Sequence, residues 1–276
     1  MNLPDFLVSS SKAVFLYKDN QFKEVSIGDG IWYGLTKYPE GFIFLTRKNL
    51  NGTDGGNPNA TNTLEFYDKE FKLTGHNSNI DTRDGHQILC IGNVLYVCNS
   101  GKNTITYIGR LGYGNHICLY PSEVGLDVHH MNSISFYDDK FYICQHRTKF
   151  GLDNGGVSVW GKGWNFIEHI EIGTHAHNAQ IKDGFLWSCD SENGVIVKIN
   201  LDTKERQEYS VSHDCMTRGL AINENFLLVG LSERDTRERR HFNKTGRIVI
   251  YSYPDMKFFH ELKLDGVGQI NDILLV

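Results

Sequence analysis

His86, His130 and His177 each open a segment of the same form, a short strand, a tight polar turn and a second strand: HQILCIGNVLYVC, HMNSISFYDDKFYIC and HNAQIKDGFLWSC. Side chains alternate along a strand, so equivalent positions of equivalent strands face the same way. Neutral imidazole is a common nitrogen ligand for divalent cations, and three of them around one axis leave a coordination position open for water or substrate. His86, His130 and His177 are therefore the expected ligands of a divalent metal. Zinc suits three nitrogens best, and iron, manganese and nickel accept the same ligand type.

The same opening position holds Gly34 in GLTKYPEGFIFLT, Arg218 in RGLAINENFLLVG and Gln269 in QINDILLV. Arg218 brings a planar, permanently charged fork that suits a carboxylate, sulfate or phosphate, or an ion pair with Asp272. His129 precedes His130 and points to the opposite face, whereas His175, two residues before His177, shares its face. Arg218, Gln269 and His175 are thus the candidates for catalysis and substrate contact beside the metal set.

Positioning such a ring demands six equivalent strands. The six segments start at 34, 86, 130, 177, 218 and 269, a spacing that suits four short strands per unit and matches the period of propeller blades. Glycines number 28 against 5 prolines, and runs such as FIFLT, VLYVC, FYIC, VIVKI and RIVIY are rich in β-branched and aromatic residues. The expected fold is all-β, a six-bladed β-propeller spanning residues 1–276 as one domain. Its last blade is closed by strands at 6–9, 13–17 and 22–27 together with 269–276, which removes exposed sheet edges. The loops at 47–62, 145–156 and 232–246 follow second strands and should rise over the histidine ring, away from the short turns YPEG, YDDK, KDG and NEN. In the last loop, Arg234, Arg237, Arg239 and Arg240 alternate with acids as a solvated face.

With 28 Lys+Arg against 33 Asp+Glu the formal charge is −5, which removes the electrostatic footing for nucleic acid or an anionic membrane. No run approaches the length of a membrane span and no basic leader precedes an apolar stretch, so the expectation is a cytoplasmic protein. Cys90, Cys98, Cys118, Cys144, Cys189 and Cys215 form no CxxC pair and read as reduced thiols. Cys98, Cys144 and Cys189, near the ends of second strands, read as packing between blades. The sequons at Asn51 and Asn59 mark a polar loop.

The strings DGHQI, HHMNSI, HNAQIKDGFLW, TRGLAINENFLLVGLSE and GVGQINDILLV resemble successive blade motifs of a bacterial family of uncharacterised propeller proteins. The corresponding family segments read approximately DLHDI, CHLNGL, PHSPRWHDGRLW, TRGLAF with LFVGLSK, and GVEEIFDV. The resemblance runs from about residue 84 to the C-terminus and implies a propeller with His86, His130, His177, Thr217, Arg218 and Asp272 at matching motif positions. Gln87 stands where the family has Asp, and Gln269 and Asn271 stand where it has Glu and Phe. At the level of the site alone, the ring is also similar to peptidyl-hydroxyglycine amidating lyase, a six-bladed propeller with a zinc on three channel histidines and an arginine nearby.

Two functions follow from this reading. The first is a metal-dependent lyase or hydrolase acting on an anionic small molecule or carbohydrate at the central channel, with metal-bound water as base or nucleophile. The second is a non-catalytic binding propeller for a sugar or protein partner, with Trp32, Tyr33, Trp160 and Trp164 as contacts. Neither reading fixes the oligomeric state.

Overall fold

Each pair of alternating apolar strands buries one face and hides its edge only if further strands and sheets cover it, and a closed ring of sheets satisfies both needs. The computed structural model has this architecture. It describes residues 3–26, 28, 30–48, 62–109, 114–125, 127–147, 155–236, 239, 241 and 243–276. Most of the loop at 47–62 and parts of those at 145–156 and 232–246 lie outside the described residues, as do both sequons, Arg237 and Arg240.

Six four-stranded antiparallel sheets form the blades. The N-terminus supplies β1 (Phe6–Ser10), β2 (Val14–Lys18) and β3 (Gln21–Glu24). Blade 1 holds β4 (Gly30–Tyr38), β5 (Gly41–Lys48), β6 (Thr63–Asp68) and β7 (Leu73–Asn77). Blade 2 holds β8 (Gly85–Ile91), β9 (Val94–Asn99), β10 (Thr104–Ile108) and β11 (Gly114–Ile117). Blade 3 holds β12 (Met131–Tyr137), β13 (Lys140–Gln145), β14 (Gly155–Gly161) and β15 (Phe166–Gly173). Blade 4 holds β16 (Ala176–Lys182), β17 (Phe185–Asp190), β18 (Val195–Asn200) and β19 (Arg206–Ser210). Blade 5 holds β20 (Cys215–Ile222), β21 (Phe226–Glu233), β22 (Gly246–Ser252) and β23 (Phe258–Leu264). Blade 6 joins β24 (Ile270–Leu275) to the N-terminal strands, with Phe6 opposite Leu275 and Val8 opposite Ile273. The expected pairing of the two termini is what closes the ring.

The core lies between neighbouring sheets. Phe6, Val8 and Tyr17 of blade 6 pack on Ala221, Phe226, Leu228 and Ile250 of blade 5. Cys98, Cys144 and Cys189 belong to three such inter-blade clusters. Burial pushes the Cys144 thiol up to about 12, as expected of a small apolar residue. All six cysteines are unbridged. Trp32 and Trp160 are also core residues, donating to Glu65 Oε2 at 3.2 Å and Ser158 Oγ at 2.9 Å, and Trp164 stacks on Phe141. Of the four aromatics proposed as surface contacts, Tyr33 is the one that lines the channel. No helix among the described residues is long and apolar enough to cross a membrane.

A bulge interrupts every innermost strand near its start. Tyr33 and Gly34 face one residue of β5, His86 and Gln87 one of β9, and Arg218 and Gly219 one of β21. The extra residue is Asn132 in β12, Asn178 in β16 and Asn271 in β24. A bulge bends the strand and re-aims a side chain, here toward the propeller axis. Pairing in the six blades therefore makes Tyr33, His86, Asn132, His177, Arg218 and Asn271 equivalent, and all six line one narrow cavity on the axis. Aligning the segments by their first letters displaces three of them: Gly34 stands one residue late, and His130 and Gln269 two residues early.

Candidate functional site

His130 reaches the site from a different level than His86 and His177. Its structural equivalents are Asp84 in blade 2 and His175 in blade 4, and all three adopt a left-handed backbone, with φ of 49°, 49° and 53°. That conformation costs a non-glycine residue on the order of 1 kcal/mol and is concentrated at functional sites. It sets a second tier of polar side chains above the bulge ring.

The two tiers enclose a cavity of about 170 Å³, lined by Tyr33, Asp84, His86, Asp127, His130, His146, Arg147, His175, His177, Met216 and Arg218. Five of the twelve histidines face it. The expected ligands His86, His130 and His177 thus share one cavity, with Arg218 and His175 beside them. Gln269 does not line it: its backbone N–H donates to Ser11 Oγ at 3.3 Å, and the residue is buried outside that lining. His175 is half exposed and faces Glu192 at 3.2 Å.

Ligand atoms of Asp84, His86 and His130 all lie within 4.8 Å of one another, and the three residues are buried. Asp84 is ion-paired with the fully buried Arg47 and stands 3.6 Å from His86 Nε2, which has no hydrogen-bond partner among the described residues. An orphaned buried nitrogen beside a carboxylate suits a cation between them. Rings of His86, His130, His146 and His177 follow one another around the wall, with centroids 4.8, 4.4 and 4.3 Å apart.

Partners fix which nitrogen of each ring carries the proton. His130 Nδ1 donates to Asp127 at 2.9 Å, and His177 Nδ1 donates to the His175 carbonyl at 2.8 Å, so both present an Nε2 lone pair. His146 Nε2 lies 2.9 Å from His177 Nε2 and donates to it. Burial, reinforced by neighbouring imidazoles and, for His86 and His177, by the Arg218 charge, holds His86, His146 and His177 well below the usual histidine range. These rings are neutral, the form that ligates metals. Burial alone would raise Asp127, but its hydrogen bond to His130 and the nearby positive charges hold it below the usual carboxylate range.

Sequence reasoning passed over His146, Asp84, Asp127, Arg47 and Arg147. One signal for two of them was present in the repeat. The residue two places after the aligned Leu45, Cys98, Cys144, Cys189 and Gly230 is Arg47, Ser100, His146, Ser191 and Ser232. Each serine bonds the innermost strand of the next blade: Ser100 to the Met131 carbonyl, Ser191 to the Thr217 carbonyl, and Ser232 with the Ile270 N–H. Arg47 and His146 replace that serine and contact Asp84 and His177 of the next blade instead. Two departures from a structural serine lead directly to the cavity.

The floor of the bulge ring is Asp272. It accepts from the Leu35 N–H at 3.1 Å, Gln87 Nε2 at 3.0 Å and the Ile273 N–H at 3.1 Å, binding blades 1, 2 and 6 together. On its far side a second cavity of about 260 Å³ opens toward the short turns, lined by Leu35, Ile88, Ile134, Ile181 and Ile273. Gln87, Ser135 and Gln180 line it as well, and the histidines collect at the other mouth. Burial pushes Asp272 up to about 7 against the donors that favour its charge. Between about pH 4, where the unfolded carboxyl ionises, and pH 7, the folded protein keeps a proton that the unfolded chain loses, so this group makes stability fall as pH rises. Urea titrations of wild type and Asp272→Asn should show wild type losing a few kcal/mol relative to the variant across that window, a shift of about 1.4 kcal/mol per pH unit. A difference that is flat from pH 4 to 7 would contradict it.

The fold and the site together define a six-bladed β-propeller with a polar, histidine-rich mouth. No protein-family model matches the chain, and no curated protein sequence does. Solved structures share its fold: a protein of unknown function from Bacteroides caccae (10% identity, TM-score 0.65, covering 98% of each chain) and a chain of a nidogen/laminin complex (8%, 0.65, 98% and 97%). A Bacteroides fragilis protein described as a candidate 6-phosphogluconolactonase is similar at 11% identity and TM-score 0.60, covering 99% and 98%. A luciferin-regenerating enzyme matches at 12% and 0.60, covering 87% of this chain and 78% of its own. At these identities the likeness is one of fold.

Proposed function

We propose that this protein is a metal-dependent enzyme of the hydrolase or lyase type, acting on a small anionic molecule at the imidazole-lined mouth of the channel. The observation that carries the reading is the buried convergence of Asp84, His86 and His130 beside Arg218 in one cavity. Two imidazoles and a carboxylate are a donor set that zinc uses in catalytic sites, and zinc is the favoured cation. Such a cation lowers the pKa of a bound water toward neutrality.

The chain's own residues supply the rest. Asp127 holds the His130 ring in the tautomer whose Nε2 faces inward, a carboxylate–histidine arrangement that orients metal ligands. Arg218 and the exposed Arg147 supply positive charge for an anionic group, and the cavity's 170 Å³ restricts the substrate to a small molecule. The peptidyl-hydroxyglycine amidating lyase analogy supports a lyase, and the two enzymes named among the fold neighbours support a propeller that carries catalysis.

Equilibrium dialysis against zinc followed by elemental analysis tests the reading without a substrate. Wild type should hold about one zinc per chain, and His130→Ala should lose it. Zinc-free wild type, or His130→Ala with undiminished zinc, would refute a metal at this site.

A further inference from the structure

Arg218 donates from a terminal guanidinium nitrogen to His86 Nδ1 at 3.2 Å, and both side chains are buried. A guanidinium has no acceptor and does not lose its proton, so His86 Nδ1 must be the accepting nitrogen and His86 Nε2 carries the hydrogen. A neutral imidazole has one lone pair in the ring plane, and in this arrangement Arg218 takes it. The cation proposed at Asp84, His86 and His130 needs the same lone pair. If it binds Nδ1, it displaces the guanidinium. If it binds Nε2, the proton moves to Nδ1, which then faces Arg218 donor to donor. Either way the Arg218–His86 bond is lost.

Charge pushes in the same direction. Arg47 is paired with Asp84, Asp127 with His130, and Arg218 lies 5.9 Å from the centre of the Tyr33 ring whose face also receives Arg47 at 4.4 Å. The two cavity carboxylates therefore already face arginine or histidine. A divalent cation adds positive charge beside Arg47 and Arg218 in a place shielded from water, and an anion is the species that would compensate it.

We propose that Arg218 is a lock on His86 that the cation opens, and that the displaced guanidinium becomes the contact for the anionic group of the substrate. Cation and anion then bind with positive coupling, and Arg218 is the element both bias. The anion is a small oxyanion, a carboxylate, sulfate or phosphate group, that can face the cation and the guanidinium together. This rests on the metal reading above and specifies its order: the cation first, the anion after it.

Zinc and sulfate are the probes, used with the full-length chain. Isothermal titration should show zinc binding about tenfold tighter in saturating sulfate, within the usual span of coupling between two ligands. Arg218→Gln should bind zinc more tightly than wild type without sulfate, and sulfate should not change it. Nitrogen-15 spectra of labelled histidine supply a readout that a purely structural role would not move. His86 should carry its proton on Nε2 before zinc is added and change its nitrogen pattern when zinc is bound. Zinc affinity indifferent to sulfate and lowered by Arg218→Gln would overturn the lock and leave the metal reading standing, whereas zinc binding with His86 unchanged would overturn both, since the cation would then sit away from His86. Failure of both wild type and Arg218→Gln to bind zinc would overturn the two together.

Discussion

Deleting residues 269–276 should abolish cooperative folding. The missing segment is β24, the innermost strand of a blade whose other three strands come from the N-terminus. Ile270 and Ile273 are buried in the cluster between blades 5 and 6, and each fully buried side chain of this size contributes about 1.5–3 kcal/mol. The deletion also removes Asp272 and its donors' acceptor, the Asn271 amide that bonds the Trp32 carbonyl at 2.8 Å, and the Ile270 N–H on Ser232. The Leu35 N–H and the Gln87 amide would lose buried partners, at about 1–3 kcal/mol each. These losses together approach the entire stability of an ordinary domain, about 5–15 kcal/mol. The truncated chain should elute as aggregate and show no sharp thermal transition by circular dichroism. A soluble monomer that melts sharply would mean that β24 does not close the ring.

The repeat was legible because every blade needs the same two buried strands joined by the same tight turn, and this requirement writes similar strings at intervals of one blade. The register within each innermost strand was not. Gly34 and Gly219 hint at an irregular backbone, but the second bulge residue is Gln87, Ser133, Asn178 or Asp272 in the other blades, and no common residue type marks it. An alignment that starts from histidine therefore joins His130 to His86 although the strands pair two residues apart. His130 still reaches the cavity, at the same level as Asp84, His175 and Met216 of the neighbouring blades, whereas Gln269, at that level in blade 6, does not. Asp84 was hidden for a related reason, since its tie to His130 and His175 is a shared conformation rather than a shared residue type.

Removing Asp84 should cost more stability than removing Asp84 and Arg47 together. Arg47 is fully buried, paired with Asp84 and set 4.4 Å over the Tyr33 ring. A guanidinium in such a place is tolerated because a carboxylate offsets the loss of its water. Asp84→Ala leaves that charge without its carboxylate in a site closed to water, and breaking a buried pair from one side costs about 3–5 kcal/mol. In Arg47→Met/Asp84→Ala the charge disappears with its partner, and methionine fills much of the space of the arginine stem. Urea denaturation should place the double variant nearer to wild type than Asp84→Ala, by about 2 kcal/mol or more. Zinc separates this structural role from the chemical one: both variants lack the Asp84 oxygen and should bind zinc weakly, so recovery of stability should bring no recovery of metal. If the two substitutions instead add, with the double variant the least stable of all, the pair is not the unit that holds blades 1 and 2 together at the cavity wall, and Arg47 owes its place to its other contacts, the Tyr33 ring among them.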